Sequence, residues 1–243
     1  GCSDTISITL SEPPLVESGL VITNASCFGA NDGSATVNPT INGLTFTTFN
    51  VIWNITQNSG SVTLLSPTVG VSNYQVQLLN TLTNCTTAVE NFTINEPSLL
   101  TATTSSIDVI CNGASTGEIS ATVSGGTSSY SYIWSDGQIT QTATGLPAGI
   151  YYCDITDANG CTFRTDVDTI VEPDPINPNL IHTDVSCFGL SDGGVVAIPT
   201  GGNGASYTYS WSNNPLNTSD TDSGYVAVSG SYTVTITDAE SCS

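Results

Sequence analysis

Ser26-Cys27-Phe28-Gly29-Ala30-Asn31-Asp32-Gly33-Ser34-Ala35-Thr36-Val37 returns twice along the chain, as Ile110-Cys111-Asn112-Gly113 running on to Val123 and as Ser186-Cys187-Phe188-Gly189-Leu190-Ser191-Asp192-Gly193. The first cysteines step by 84 and then 76 residues, and one tryptophan follows each, Trp53, Trp134 and Trp211, at offsets of 26, 23 and 24. A second cysteine closes each repeat, at Cys85, Cys161 and Cys242. Glu-Pro follows at Glu96-Pro97 and Glu172-Pro173, and the chain opens on the same tail, Cys2 to Glu12-Pro13. Such a period settles the architecture before any single motif does, because each repeat is one folding element stacked on the next. It predicts three modules, about residues 14 to 97, 98 to 173 and 174 to 243, with residues 1 to 13 as the last strand of a preceding one, the whole cut from a longer array. The boundaries sit at Glu-Pro because proline cannot donate to a β ladder and ends a strand.

Inside each repeat the apolar residues alternate. Ala35 and Val37, Ile119, Ala121 and Val123, and Val195 and Ala197 form one such series; Phe49, Val51 and Trp53, Tyr130, Tyr132 and Trp134, and Tyr207, Tyr209 and Trp211 form a second. A late series reads Tyr74, Val76, Leu78, then Tyr151, Cys153, Ile155, then Tyr232, Val234, Ile236. Period two marks strands with one buried face. Two late strands run into Asp157-Ala158-Asn159-Gly160 and Asp238-Ala239-Glu240-Ser241, with the turn chemistry of a hairpin. No stretch keeps helical spacing, so the modules are expected to be all-β. A tryptophan on a middle strand and a tyrosine opening a late one resemble the immunoglobulin-type sandwich. The expectation is a tandem array of such sandwiches forming an elongated rod with nearest-neighbour contacts.

The net charge is −20 with one basic residue, Arg164, which excludes attraction to nucleic acid or an anionic membrane surface. No apolar run approaches the roughly 20 residues that span a bilayer, so direct membrane insertion is not expected. Only 9% of residues are charged, and Thr, Ser and Asn must form the polar surface. Regularly spaced cysteines without a redox-type C-x-x-C or close-set zinc ligands point to disulfides in an oxidising compartment. Two bridge patterns suit the spacing. Within repeats, Cys27–Cys85, Cys111–Cys161 and Cys187–Cys242 leave Cys2 without a mate; across junctions, Cys2–Cys27, Cys85–Cys111 and Cys161–Cys187 leave Cys242 over. The within-repeat set leads, although the immunoglobulin order places its partners at opposite ends of a sandwich, beyond the roughly 7 Å Cα reach of a bridge. Cys153 stays free in both, as a small buried hydrophobe.

Cys-Phe-Gly-x-x-Asp-Gly-Ser-Ala, the turns Gly125-Gly126 and Gly201-Gly202, Tyr-x-Trp-Ser, a Gly-x-Tyr strand and Asp-Ala-Asn-Gly-Cys occur in one order along the whole chain. This combination resembles the SprB repeat of large surface adhesins of Bacteroidota. The first repeat departs from it, with Ile41-Asn42-Gly43 for the Gly-Gly turn and Asn80-Thr81-Leu82-Thr83-Asn84-Cys85 at its close, and the second has Thr116-Gly117 for Asp-Gly. The resemblance implies a fragment of an extracellular adhesin filament, attached at the bacterial outer membrane, exported by type IX secretion and possessing a role in attachment or gliding motility. Its partners would be further repeats of the same polypeptide and a surface or polysaccharide ligand. It also implies O-glycosylation at Asp-Ser/Thr-aliphatic sequences, matched at Thr5 and Thr169.

No active site is legible. His182 is the lone histidine, which leaves a Ser-His-Asp arrangement without repeat equivalents. No carboxylate pair recurs in all repeats as a glycosidase dyad would require. Arg164 has Asp154, Asp166 and Asp168 nearby in sequence, a surface ion-pair setting. No cofactor is expected, with one reservation: calcium could gather oxygen ligands at the module junctions, from Glu96 with Asp157 and Asn159, and from Glu172 or Asp174 with Asp238. The weighed alternatives are a diffuse acidic surface for the calcium and, for the function, a spacer in a secreted polysaccharide-degrading enzyme.

Overall fold

Alternation at every second residue puts one face of each strand out of water, and two such faces close on each other in each repeat. The computed structural model describes residues 4–9, 15–41, 44–45, 49–54, 61–65, 74–204, 206–212 and 224–243, and no helix occurs among them. Among the described residues no helix is long and apolar enough to cross a membrane. The described strands are all-β sandwich modules, distributed over two compact units, one of residues 1–100, 124–130 and 157–161, the other of 101–123, 131–156 and 162–243.

In the second unit, Thr101–Ile107, Gly117–Ser124 and Thr142–Leu146 form one sheet, and Ser131–Trp134, Cys153–Thr156 and Thr162–Arg164 form another. Ile119 and Ala121 from the first meet Trp134, Cys153 and Ile155 from the second as a core exposed by 2% or less. Burying an Ile or Leu side chain of this kind contributes roughly 1.5–3 kcal/mol. The same unit holds the sheet Leu180–Thr183, Gly193–Ala197 and Gly224–Ala227 and the pair Thr208–Trp211 with Val234–Thr237, closed over Ala197, Trp211 and Ile236. In the first unit, Leu20–Thr23, Gly33–Val37 and Ser61–Leu65 form one sheet, Phe49–Trp53, Tyr74–Asn80 and Glu90–Phe92 form a second, and the short strands Val16–Glu17, Thr40–Ile41 and Leu44–Thr45 form a third. Trp53 packs edge-on to Phe92 at 5.7 Å in that core.

Each tryptophan faces a late-strand residue across an antiparallel ladder: Trp53 faces Val76, Trp134 faces Cys153 and Trp211 faces Val234. Cys153 therefore stands where the other repeats carry valine. It is free and fully buried, and burial pushes its thiol pKa up. The tyrosine two residues ahead pins the turn before it: the hydroxyls of Tyr151 and Tyr232 donate to the carbonyls of Pro147 and Val228, each four residues upstream, at 2.9 and 2.8 Å.

Candidate functional site

Each first cysteine opens a tight turn. The amides of Ala30, Ala114 and Leu190 donate to the carbonyls of Cys27, Cys111 and Cys187 at 3.0, 3.0 and 3.1 Å, and Gly29, Gly113 and Gly189 hold φ of +73°, +73° and +84°. A positive φ at the third position is the demand of a type II turn, and glycine meets it without steric cost. A side-chain oxygen six residues on from the residue before the cysteine ties the loop: Asp32 Oδ1 accepts from Ser26 N, Thr116 Oγ1 from Ile110 N and Asp192 Oδ1 from Ser186 N, each at 3.0 Å. Thr116 thus keeps the role with a hydroxyl. The hydrogen bonds from Ser26 and Ser186, side chain first and then backbone, lower the pKa of Asp32 and Asp192.

The Glu-Pro glutamates complete these turns. Glu96 Oε2 accepts from Gly29 N at 2.7 Å and Glu172 Oε2 from Gly113 N at 2.6 Å. Beside them, Ala25 N donates to Asn95 O and Val109 N to Val171 O. The cysteine turn therefore sits at the trailing end of its own repeat, against the strand that leaves it.

The closing cysteine sits at the other end. Asp157 Oδ1 accepts from Asn159 N and Cys161 N, both at 2.9 Å, and its Oδ2 from Thr127 N at 2.8 Å. Asp238 repeats this with Glu240 N, Cys242 N and Asn203 N at 3.0, 2.9 and 2.7 Å. Both aspartates are buried, each residue 5% exposed. For Asp157, burial opposes the charge, but the amides of Thr127, Cys161, Asn159 and Gly160 outweigh it and the pKa is lowered; for Asp238 the Asn203 amide is the leading cause of the same shift. Thr127 and Asn203 follow the Gly-Gly turns, where Gly126 N and Gly202 N each donate at 2.8 Å to Ser98 O and Asp174 O, just past Glu-Pro. A Cβ on Gly125 or Gly201 would lie 1.9 or 2.2 Å from a backbone oxygen, so these positions require glycine. The closing turn is thereby held at the leading end of its repeat.

A trailing-end cysteine of one repeat and a leading-end cysteine of the next can meet, and they do. Cys27 bonds to Cys161 with a Cα–Cα distance of 5.8 Å, within the first unit, and Cys111 bonds to Cys242 at 5.5 Å, within the second. Both expected connectivities are corrected by this result. The within-repeat pairs join opposite ends of one sandwich. The junction-spanning pairs place a leading-end cysteine against the following repeat, whereas it faces the preceding one. Cys85 and Cys187 are free and exposed, and Cys2 lies outside the described residues. An amide reinforces each bridge: Asn159 Nδ2 donates to Ser26 O at 2.8 Å, and Asn203 Nδ2 donates to Ile110 O. The donor has moved from the closing turn in one repeat to the glycine turn in the next, yet it reaches the same carbonyl, the one before the bridged cysteine.

The first repeat's departures are local. Asn80 Oδ1 accepts from Leu82 N and Thr83 N at 2.9 and 3.2 Å, Asn84 takes the positive φ of +54°, and Asn80 N donates to Cys85 O at 2.8 Å. That last bond matches Asp157 N to Cys161 O and Asp238 N to Cys242 O, both 3.0 Å. The loop is one residue longer and carries no charge at its centre. Asn42 and Gly43 lie outside the described residues.

Four of the five carboxylates considered as calcium ligands have other partners. Glu96, Glu172, Asp157 and Asp238 accept backbone amides as above, Asp174 contributes a carbonyl to Gly202, and no group of three or more His, Cys, Asp or Glu side chains suited to a metal gathers among the described residues. At fixed ionic strength, millimolar calcium is expected to leave the thermal midpoint unchanged. A rise of several degrees would overturn this assignment of the carboxylates. Arg164 forms a bidentate pair with Asp154 at 2.6 and 2.7 Å and lies over the Tyr152 ring at 4.4 Å, on the surface. His182 is 3.9 Å from Asp184, both exposed. Thr5 and Thr169 are exposed.

The family model described as the SprB repeat matches residues 19–40, 103–145 and 179–216. Each segment contains one cysteine turn. Among solved structures, the three N-terminal domains of the bacteriophage RB49 Highly Immunogenic Outer Capsid protein (Hoc) align at 16% identity and a TM-score of 0.45, covering 80% of this chain and 75% of that one. No curated protein matches the chain. In three segments, each built around a turn that opens on a first cysteine, the chain is similar to the SprB repeat.

Proposed function

We propose that the chain is a stretch of a large repetitive adhesin filament on a bacterial cell surface, attached at the outer membrane, whose modules give mechanical reach and transmit tension between the cell and a bound surface. The observation that carries this reading is the pair of bridges, because each joins one repeat to the next. Covalent ties between neighbours hold one repeat to the next even when either opens, which a within-repeat bridge does not. Disulfides also favour an oxidising, extracellular setting, and similarity to the SprB repeat favours an adhesin. The modules are residues 14 to 97, 98 to 173 and 174 to 243, with 1 to 13 belonging to a preceding one. Further repeats are the immediate partners, Thr5 and Thr169 are the sites for O-linked sugar, export is by the type IX route, and gliding is one use of the filament. Catalysis and cofactors have no part in it.

Pulling tests the reading. With both bridges closed, the shortest covalent path from Cys27 to Cys242 runs backwards from Cys161 to Cys111. That path has about 50 residues in place of about 215, which withholds on the order of 560 Å of contour length at roughly 3.4 Å per residue. Single-molecule extension of the oxidised chain is expected to stop short of the reduced chain by that length. Equal extensions would remove the basis of the proposal.

A further inference from the structure

We propose that the carbonyl ahead of each bridged first cysteine, that of Ser26 and of Ile110, is the recognition site for the neighbouring repeat, and that one asparagine amide, offered from either of two positions in that neighbour, selects the closing cysteine. The inference deepens the filament reading and rests on it. Two groups of the neighbour converge on each carbonyl. At the first junction Asn159 Nδ2 donates to Ser26 O at 2.8 Å, and Cys161 Sγ lies 3.4 Å from the same oxygen. At the second, Asn203 Nδ2 donates to Ile110 O, and Cys242 Sγ again lies 3.4 Å from it. A docked amide therefore holds the closing sulfur beside the cysteine it joins.

The two donors come from different places in their repeats. The backbone amides of Asn159 and Glu240 donate to Oδ1 of Asp157 and Asp238, at 2.9 and 3.0 Å, so these two residues share one position. The backbone amides of Thr127 and Asn203 donate to the Oδ2 atoms, at 2.8 and 2.7 Å, and share another. Asparagine thus takes the first position in one repeat and the second in the next. At the alternate position stands Glu240, whose carboxylate has no proton to donate, or Thr127, whose Oγ1 accepts from Asn159 Nδ2 at 3.0 Å and so aims the amide at Ser26. A residue kept only to form a turn would keep its place in the turn. Here the place changes and the acceptor stays, so the carbonyl is what both asparagines serve. The neighbour that fits is a repeat with a buried closing aspartate and one asparagine at either position. Closing the bridge joins two thiols in one S–S bond and releases two protons and two electrons. A small-molecule disulfide such as oxidised glutathione takes them up and becomes two thiols, by exchange through a mixed disulfide.

The test uses the full chain carrying Cys2→Ser, Cys85→Ser and Cys187→Ser, equilibrated in a series of glutathione redox buffers, quenched with acid and mapped by non-reducing digestion. Asn159→Ala is expected to lower the equilibrium constant for closing Cys27–Cys161 about fivefold, the weight of one hydrogen bond. The distant Cys111–Cys242 bridge should stay within about twofold of the parent. Asn203→Ala is expected to do the reverse. Adding Thr127→Asn to Asn159→Ala should return the first bridge to within about twofold of the parent, because the second position then supplies the amide, as Asn203 does. An Asn159→Ala chain whose bridges both hold, or weaken alike, overturns the proposal, since the amide then does not act or acts only through general stability. A double variant no better than Asn159→Ala overturns it as well. Either result with both bridges present in the parent sinks this inference alone, whereas a parent that forms neither bridge sinks the filament reading beneath it.

Discussion

Replacing Cys161 or Cys242 by serine is expected to lower the midpoint of thermal unfolding by roughly 10–20 °C. The bridges close sequence separations of 134 and 131 residues. Restricting the unfolded chain over such a loop contributes about 5 kcal/mol in the chain-entropy account, and each kcal/mol moves the midpoint by about 2–4 °C in a chain of this size. Within-repeat bridges would close loops of only about 50–58 residues and contribute about 1 kcal/mol less each. The stabilisation is complete only when everything inside the loop has unfolded, so the bridges also couple neighbouring repeats. The oxidised chain is expected to melt in one concerted transition and the reduced chain in resolved steps, by calorimetry with and without reductant. Cys85→Ser serves as the control, since its thiol is free and exposed, and should shift the midpoint by less than about 2 °C. A Cys161→Ser chain that melts with the native one would show that Cys27 and Cys161 are not bonded.

Asp157→Ala is expected to cost on the order of 3 kcal/mol, because it strands three part-buried amides that the carboxylate now satisfies. Asp157→Asn should cost less, since one oxygen survives while the amide nitrogen faces a donor. The charge makes the effect depend on pH. The folded carboxyl has a lowered pKa, so its contribution is present above the unfolded value near 3.8 and is lost as pH falls below that value through the folded pKa. Asp238 shifts in the same direction. Denaturant titrations from pH 6 down to pH 2 should show the native chain losing stability below about pH 4 more steeply than Asp157→Ala. Parallel pH curves would refute this role for the carboxylate. Cys161 N is among the stranded donors, so thiol labelling of Asp157→Ala should also reveal slower bridge formation.

What the residues alone determined was whatever repeats or alternates. Period-two series around Trp53, Trp134 and Trp211 specify strands because alternate side chains must reach one buried face, and each tryptophan does lie in a core. The turns were legible for a similar local reason: Gly29, Gly113 and Gly189 take the positive φ that their position demands. The disulfides were not legible in this way. Cysteine spacing measures distance along the chain, and it cannot say which end of a sandwich a loop occupies. That choice is made by tertiary hydrogen bonds, Gly29 N on Glu96 placing the first cysteine at the trailing end and Thr127 N on Asp157 placing the closing cysteine at the leading end. The nearly constant separations of 134 and 131 residues were present in the sequence, but shorter separations were equally regular. The acidic residues were ambiguous for the same physical reason. A carboxylate can hold a cation or a cluster of amides, and only folding, which turns the amides of Thr127, Asn159 and Cys161 onto Asp157, decides which it holds.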